Sequence, residues 1–240
     1  MHTVGFDLTY AWGAYARLKA TWRGVPADSV VAGELPDMRA MPAGGMRMRF
    51  TTNHDETAWD NPPVILFDGS AGARAAFVAE ALLPGRPLLY DGQEVESPQK
   101  LGLFVKEAID WNQPHADAAR AFYRRVLHLA RTDSAFLAGP LRELATSAPA
   151  AVIAYRRGSA AVIVNARSTA VGVTVTGFDV SGAKDLLTDQ TQRGDTLSLP
   201  AYGAVVLQRP ARVGLGVPPR LRARGRWRPR AAQRLVVAGK

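Results

Sequence analysis

Residues 50–60, FTTNHDETAWD, carry the densest group of side chains able to do chemistry. Asn53, His54 and Asp55 are consecutive and follow the alternating run MRMRF. A strand that ends in three polar residues delivers them where the chain turns into a loop. In a barrel of alternating strands and helices, that end of the sheet is where active sites are built. There His54 can bind sugar hydroxyls, and Asp55 can hold a negative charge beside a developing cation. Glycoside cleavage passes through an oxocarbenium-like transition state, so a fixed carboxylate at that point is electrostatic catalysis. The same tripeptide is also ordinary turn chemistry, in which Asp55 caps the following segment. The tripeptide alone leaves both readings open.

The surrounding pattern says what positions these residues. Residues 4–10 (VGFDLTY) read as a strand and 14–22 as a helix. Over residues 46–55, Met46, Met48 and Phe50 share one face and Arg47 and Arg49 the other, the period of a strand. Residues 72–83 are Ala-rich and helical, stopping at Pro84-Gly85. RPLLYDG (86–92) reads as a short apolar strand, and 116–131 as a helix with Ala119, Phe122, Val126 and Leu129 on one face. Strand alternating with helix predicts parallel βα units. From about residue 150 to 209 the chain reads differently. Short runs such as AVIAYRRG, SAAVIVNARS and VGVTVTGF, separated by turn residues, predict a small antiparallel β-sandwich. Residues 210–240 follow neither period and are rich in Pro, Gly and Arg, which predicts disorder.

Composition narrows the function classes. The chain has 240 residues, 47% of them hydrophobic, and a net charge of +9. Residues 211–240 hold eight arginines, one lysine and no acidic residue, so the tail carries the whole excess; residues 1–210 hold 21 basic and 21 acidic residues. The folded body is therefore neutral, and nucleic acid is not expected as its partner. The tail reads first as an extension unrelated to the body, and second as an arm for nucleic acid or anionic surfaces. There are no cysteines, which excludes disulfides and thiolate metal sites and leaves the compartment open. No run approaches the ~18 apolar residues of a membrane span, so no membrane partner is expected. MHTVGFDLTYAW lacks the basic lead and apolar run of a secretory leader, which leaves export open if Met1 is not the true start.

Phe50-Thr51-Thr52-Asn53-His54-Asp55 resembles the strand-seven motif of the α-amylase family of glycosidases. LPGRPLLYDGQE (83–94) is similar to the strand-eight segment of that family, and GFDLTYAWGAY (5–15) to its strand-six segment. FVKEAIDW (104–111) and LPAYGAVVL (199–207) resemble the segment before the last barrel helix and the final strand of the C-terminal β domain. The five segments occur in the family's order and spacing over residues 4–209. The resemblance implies an α/β plus all-β architecture. Residues 1–132 would be the last three βα units of a (β/α)8 TIM barrel, 133–209 a C-terminal β-sandwich domain, and 210–240 a tail outside both.

By the same resemblance Asp55 corresponds to the transition-state-stabilising carboxylate, His54 to a histidine that binds substrate hydroxyls, and Asn53 to the residue that orients the pair. Tyr90, Gln93 and Glu94 match the strand-eight motif and read as mainly structural. Trp59 and Trp111 could stack on a sugar face or close the barrel. His115 and His128 match nothing. The departures carry equal weight. Retaining glycosidases need a nucleophile and a general acid ~5–5.5 Å apart. The family's Gly-Phe-Arg-x-Asp nucleophile setting is absent, and Gly5-Phe6-Asp7 lacks its arginine and spacing. The expected substrate is an α-glucan or oligosaccharide, with no cofactor and no metal ligands. The expected protein partner is the N-terminal half of the barrel. Three strands of an eight-stranded barrel would also leave two edges open to pairing.

Overall fold

In the computed structural model, which describes residues 5–209, β1 (Leu8–Tyr10), β2 (Met46–Arg49) and β3 (Arg86–Pro87) form a parallel sheet in that order. Leu8 pairs with Met46 and Tyr10 with Met48; Met48 then pairs with Arg86 and Arg49 with Pro87. Parallel neighbours need crossover connections. Helices α1 (Trp12–Trp22) and α2 (Ser29–Arg39) supply the first, and α3 (His54–Trp59), α4 (Pro63–Leu66) and α5 (Gly69–Ala81) the second. A 3-10 turn at Gln93–Val95, then α6 (Ala116–Thr132) and α7 (Ser134–Ala138), lead out of the sheet. Among the described residues the parallel strands do not close into a barrel, and β1 and β3 are edges.

The strands are shorter than their sequence patterns suggest. The run 46–55 leaves the sheet after Arg49 and becomes helical at His54, and the run 86–92 pairs only at Arg86 and Pro87. The Leu88 N–H donates to the Arg49 carbonyl at 2.7 Å, the last bond joining this run to β2. The approach of β3 to β2 also requires Gly85, whose φ is 142° and where a Cβ would sit 2.2 Å from the Arg47 carbonyl oxygen. Helix α2 has no counterpart among the sequence expectations, because Gly33 and Pro36 both disfavour a helix. Burial of Val30 and Val31 overrides that preference, and Gly33 lets the Arg17 side chain lie against the helix.

Beneath the sheet is a charged cluster. Arg49 is fully buried and donates to Glu34, to Glu80 at 3.5 Å and to the Pro84 carbonyl at 2.8 Å. Arg17 bonds Glu34 at 3.2 Å and Asp37 at 2.8 Å. The alternation in MRMR puts Arg47 and Arg49 on the face opposite Met46 and Met48. In a parallel sheet that face is covered by helices, here α2 and α5, which bring Glu34 and Glu80.

The rest of the described chain is antiparallel. The strands β4 (Leu141–Glu143), β6 (Val152–Arg157), β7 (Ala160–Asn165), β9 (Lys184–Asp185) and β11 (Ala204–Gln208) form one sheet in the order β4-β6-β7-β11-β9. A second sheet has the order β10-β8-β5, with β5 (Ala145–Thr146), β8 (Val171–Thr176) and β10 (Thr196–Leu199). Alternate residues on a strand face opposite ways, and both faces of β6 and β7 are used. Val152, Ala154, Ala161 and Ile163 meet Val173, Leu197 and Leu199 of the smaller sheet. Ile153, Tyr155, Val162 and Val164 instead join Leu18, Phe77, Val78, Leu82, Tyr123 and Val126. One apolar core therefore runs from the helices of the parallel unit into the antiparallel sheet.

Two arginines pin this junction. Arg157 of β6 donates to the carbonyls of Leu82 (2.9 Å), Phe136 (2.7 Å) and Gly139 (2.8 Å). Arg167 donates to Thr21 (2.6 Å), Val25 (2.9 Å) and Ala150. No helix among the described residues is long and apolar enough to cross a membrane. The disorder expected for 210–240 lies outside the described residues.

Candidate functional site

Three strand ends converge on the C-terminal side of the parallel sheet. After β2 the chain continues through Thr51, Thr52 and Asn53, all buried. Asn53 is extended (φ −152°, ψ −174°), and its Oδ1 accepts from the backbone N–H groups of Asp55 (2.9 Å) and Glu56 (3.0 Å). Asn53 is thus the N-cap of α3, and it satisfies two amides that a helix start leaves without partners. His54 and Asp55 are first-turn helical residues, not the loop residues that the strand reading suggested. The cap is Asn53, not Asp55. The spacing Asn53-x-x-Glu56, a relative of the capping box, is the signal that marks this start.

The support beneath the turn is specific. Thr52 and Thr57 share a hydrogen bond of 2.8 Å between their hydroxyls. Gln93, buried in the turn after β3, donates from Nε2 to Thr51 Oγ1 at 2.8 Å and accepts the Tyr90 N–H at 3.3 Å. This one amide ties the ends of β2 and β3 together. From the other side Lys19 of α1 holds α3 by Glu56 (3.3 Å) and Asp60 (2.7 Å). Gln93 and Tyr90 therefore support the turn, and burial together with the Asp91 charge holds the Tyr90 phenol above its ordinary pKa.

On this base His54 and Asp55 face outward, with side chains 52% and 43% exposed and Nε2 3.5 Å from Oδ1. Among the described residues no lysine or arginine pairs with Asp55. A fixed, accessible carboxylate with no cation of its own can accept a hydroxyl or face a positive centre. Asn53 Nδ2 is buried with no hydrogen-bond partner. No cluster of three or more potential metal ligands occurs among the described residues.

Comparison with family models finds no match, and comparison with curated protein sequences finds none either. Solved structures do match. An α-amylase from Lactobacillus plantarum superposes with a TM-score of 0.67 at 19% identity, covering 86% of this chain and 49% of that one. The noncanonic maltogenic α-amylase AmyB from Thermotoga neapolitana gives 0.63 at 21%, covering 85% and 49%. The ligand-free cyclic α-maltosyl-(1→6)-maltose hydrolase from Arthrobacter globiformis gives 0.63 at 21%, covering 84% and 44%. The fold is that of part of an α-amylase.

The chain spans about half the length of the solved structures it matches. Within this partial α-amylase fold, Glu94, Trp111, His115 and His128 lie outside α3. His128 and Glu94 line an open groove of about 580 Å³ along α6, with Leu89, Tyr123, Arg124 and Leu127. Glu94 Oε2 and the Tyr123 hydroxyl are buried without hydrogen-bond partners. His115 sits at the N-cap of α6 with φ 64°. Trp111 and Trp59 are both exposed.

The cap gives a direct test of what holds the site. Asn53→Ala is expected to lower stability by about 1–2 kcal/mol and to broaden or shift the His54 ring signals in NMR spectra. Unchanged melting and unchanged His54 signals would show that Asn53 does not position the pair.

Proposed function

We propose that this chain forms part of a retaining glycosidase acting on α-glucans in carbohydrate metabolism. In this reading Asp55 stabilises the oxocarbenium-like transition state, His54 binds hydroxyls beside the scissile bond, and Asn53 fixes both. Residues 1–132 are the last three βα units of an eight-stranded barrel, and 133–209 are its C-terminal sandwich. The observation that carries the reading is the placement of Asp55. Its carboxylate is accessible, lies 3.5 Å from the His54 imidazole and has no lysine or arginine partner among the described residues, and its backbone N–H is held by the buried Asn53 cap at the C-terminal end of a parallel sheet. The motif resemblance and the fold likeness support the same reading.

Cleavage with retention needs two further carboxylates, one attacking the anomeric carbon and one protonating the leaving oxygen. The 240 residues hold no nucleophile motif, so both groups come from polypeptide outside this sequence, and the chain by itself is inactive. Purified chain is expected to release no reducing sugar from maltooligosaccharides above a heat-denatured blank. Turnover that Asp55→Asn abolishes would overturn the inactivity and retain the role of Asp55.

A second reading is a non-catalytic carbohydrate-binding or complementing subunit of a split glycosidase, and the groove along α6 favours the complementing role. The groove is open, and its apolar Leu89 and Leu127 beside Arg124 and His128 suit a covering polypeptide. Activity that appears only when a separate chain bearing the missing strands is added would select this reading.

A further inference from the structure

Helix α3 presents three different surfaces. Thr57 points inward to Thr52, and Glu56 and Asp60, four residues apart, both bind Lys19. Asp55 and Trp59 are also four residues apart. Residues at i and i+4 lie on one helix face with Cβ atoms roughly 5–6 Å apart. The two inner surfaces are fixed, so the third is held outward. Its indole is 74% exposed, although tryptophan is on average highly buried.

Other large aromatic side chains are also exposed. Trp12 follows β1, and Phe104 and Trp111 follow β3. The third strand, β2, contributes Trp59. An exposed indole on the same helix face as an accessible carboxylate matches a carbohydrate chain. The apolar C–H face of a pyranose packs on an aromatic ring while its hydroxyls bond to carboxylate and imidazole. The four residues from Asp55 to Trp59 advance about 6 Å along the helix, enough to set the ring under a neighbouring sugar of the same chain.

We infer that Trp59 is a sugar-stacking, specificity-determining residue, which takes a glucose unit next to the one held at Asp55 and so selects α-glucan chains over short sugars. The inference rests on the glycosidase reading for the role of Asp55. Its ligand class is a linear α-glucan of several units.

The test is calorimetric titration of the full chain with maltoheptaose, maltose and cellohexaose, with folding of every variant checked by circular dichroism. Maltoheptaose is expected to bind more tightly than maltose, and cellohexaose not to bind. Trp59→Ala should weaken maltoheptaose binding at least fivefold and leave maltose little changed, while Trp59→Phe retains most of the affinity. Equal maltoheptaose affinity in wild type and Trp59→Ala overturns the inference. So does a Trp59→Ala variant that loses only self-association, because the indole would then be a polypeptide contact. His54→Ala and Asp55→Ala separate the two ideas. If they weaken binding and Trp59→Ala does not, the glycosidase reading stands and the stacking role falls. If only Trp59→Ala weakens binding, stacking stands without that reading. Absence of any maltoheptaose binding by folded wild type overturns both.

Discussion

Arg49→Met is expected to cost about 3–5 kcal/mol, a large share of a typical domain's stability, because it strands buried carboxylates. Arg49 is fully buried, with Glu34 and Glu80 almost equally so. The cluster contains two guanidinium groups, of Arg17 and Arg49, against three carboxylates, of Glu34, Asp37 and Glu80. It balances when one carboxyl keeps its proton. Glu80 is the one that does so: burial, aided by the Glu34 charge and opposed by Arg49, pushes its pKa up to about 7. Its Oε2 also has no partner.

The sign of the pH dependence follows. Unfolded, Glu80 releases its proton near 4.5; folded, it holds the proton to about 7. The native state therefore binds more protons over that interval, and stability falls as pH rises from 4.5 through 7. Glu80→Gln should remove this slope, by up to ~3 kcal/mol between the ends of the interval. It should also recover part of the loss caused by Arg49→Met. Urea unfolding at pH 5 and pH 8 reads both effects. An Arg49→Met protein as stable as wild type, or a slope that survives Glu80→Gln, would contradict this account.

Arg157→Gln is expected to cost about 3 kcal/mol or more, since each buried carbonyl left without its donor costs about 1–3 kcal/mol. Arg157 has no carboxylate partner, and burial lowers its pKa to about 10. Helix ends offset that burial. Leu82 is the C-cap of α5 and Gly139 the C-cap of α7, so the negative ends of two helices meet one guanidinium. Glutamine cannot reach all three carbonyls. Calorimetry should change from one transition to two, as the parallel unit and the antiparallel sheets melt separately. A single transition at the wild-type temperature would show that the apolar contacts suffice to couple them.

Element types were more legible in the sequence than their limits. The helix at 116–131 was visible because its apolar residues recur at helical spacing, and α6 occupies Ala116–Thr132. The antiparallel strands were visible from β-branched runs and turn residues. What local pattern could not supply was the covering of each face. The alternation set Arg49 opposite Met48, but what covers its face comes from α2 and α5, whose Glu34 and Glu80 lie 15 and 31 residues away. Likewise α2 forms because Val30 and Val31 find a core, against the preferences of Gly33 and Pro36. At the site, the residue types of Asn53, His54 and Asp55 suggested the chemistry. Their geometry depended on whether the chain continued as strand or turned into helix, and the threonine hydroxyls and Gln93 that fix the turn are distant or unremarkable in sequence. Trp59 acquires its relation to Asp55 only once that helix exists.

The core shared by α5 and the antiparallel sheet also sets an order of events during synthesis. Phe77, Val78 and Leu82 are complete early, but Ile153, Tyr155, Val162 and Val206, which join the same core, are translated much later. Ribosomes add ~5–20 residues per second, so the Ala-rich helix and its neighbours wait several seconds without their cover. The nascent chain carries its greasiest surface uncovered through that interval. Folding in the cell therefore depends on holding the first half of the chain apart from other chains until β11 emerges.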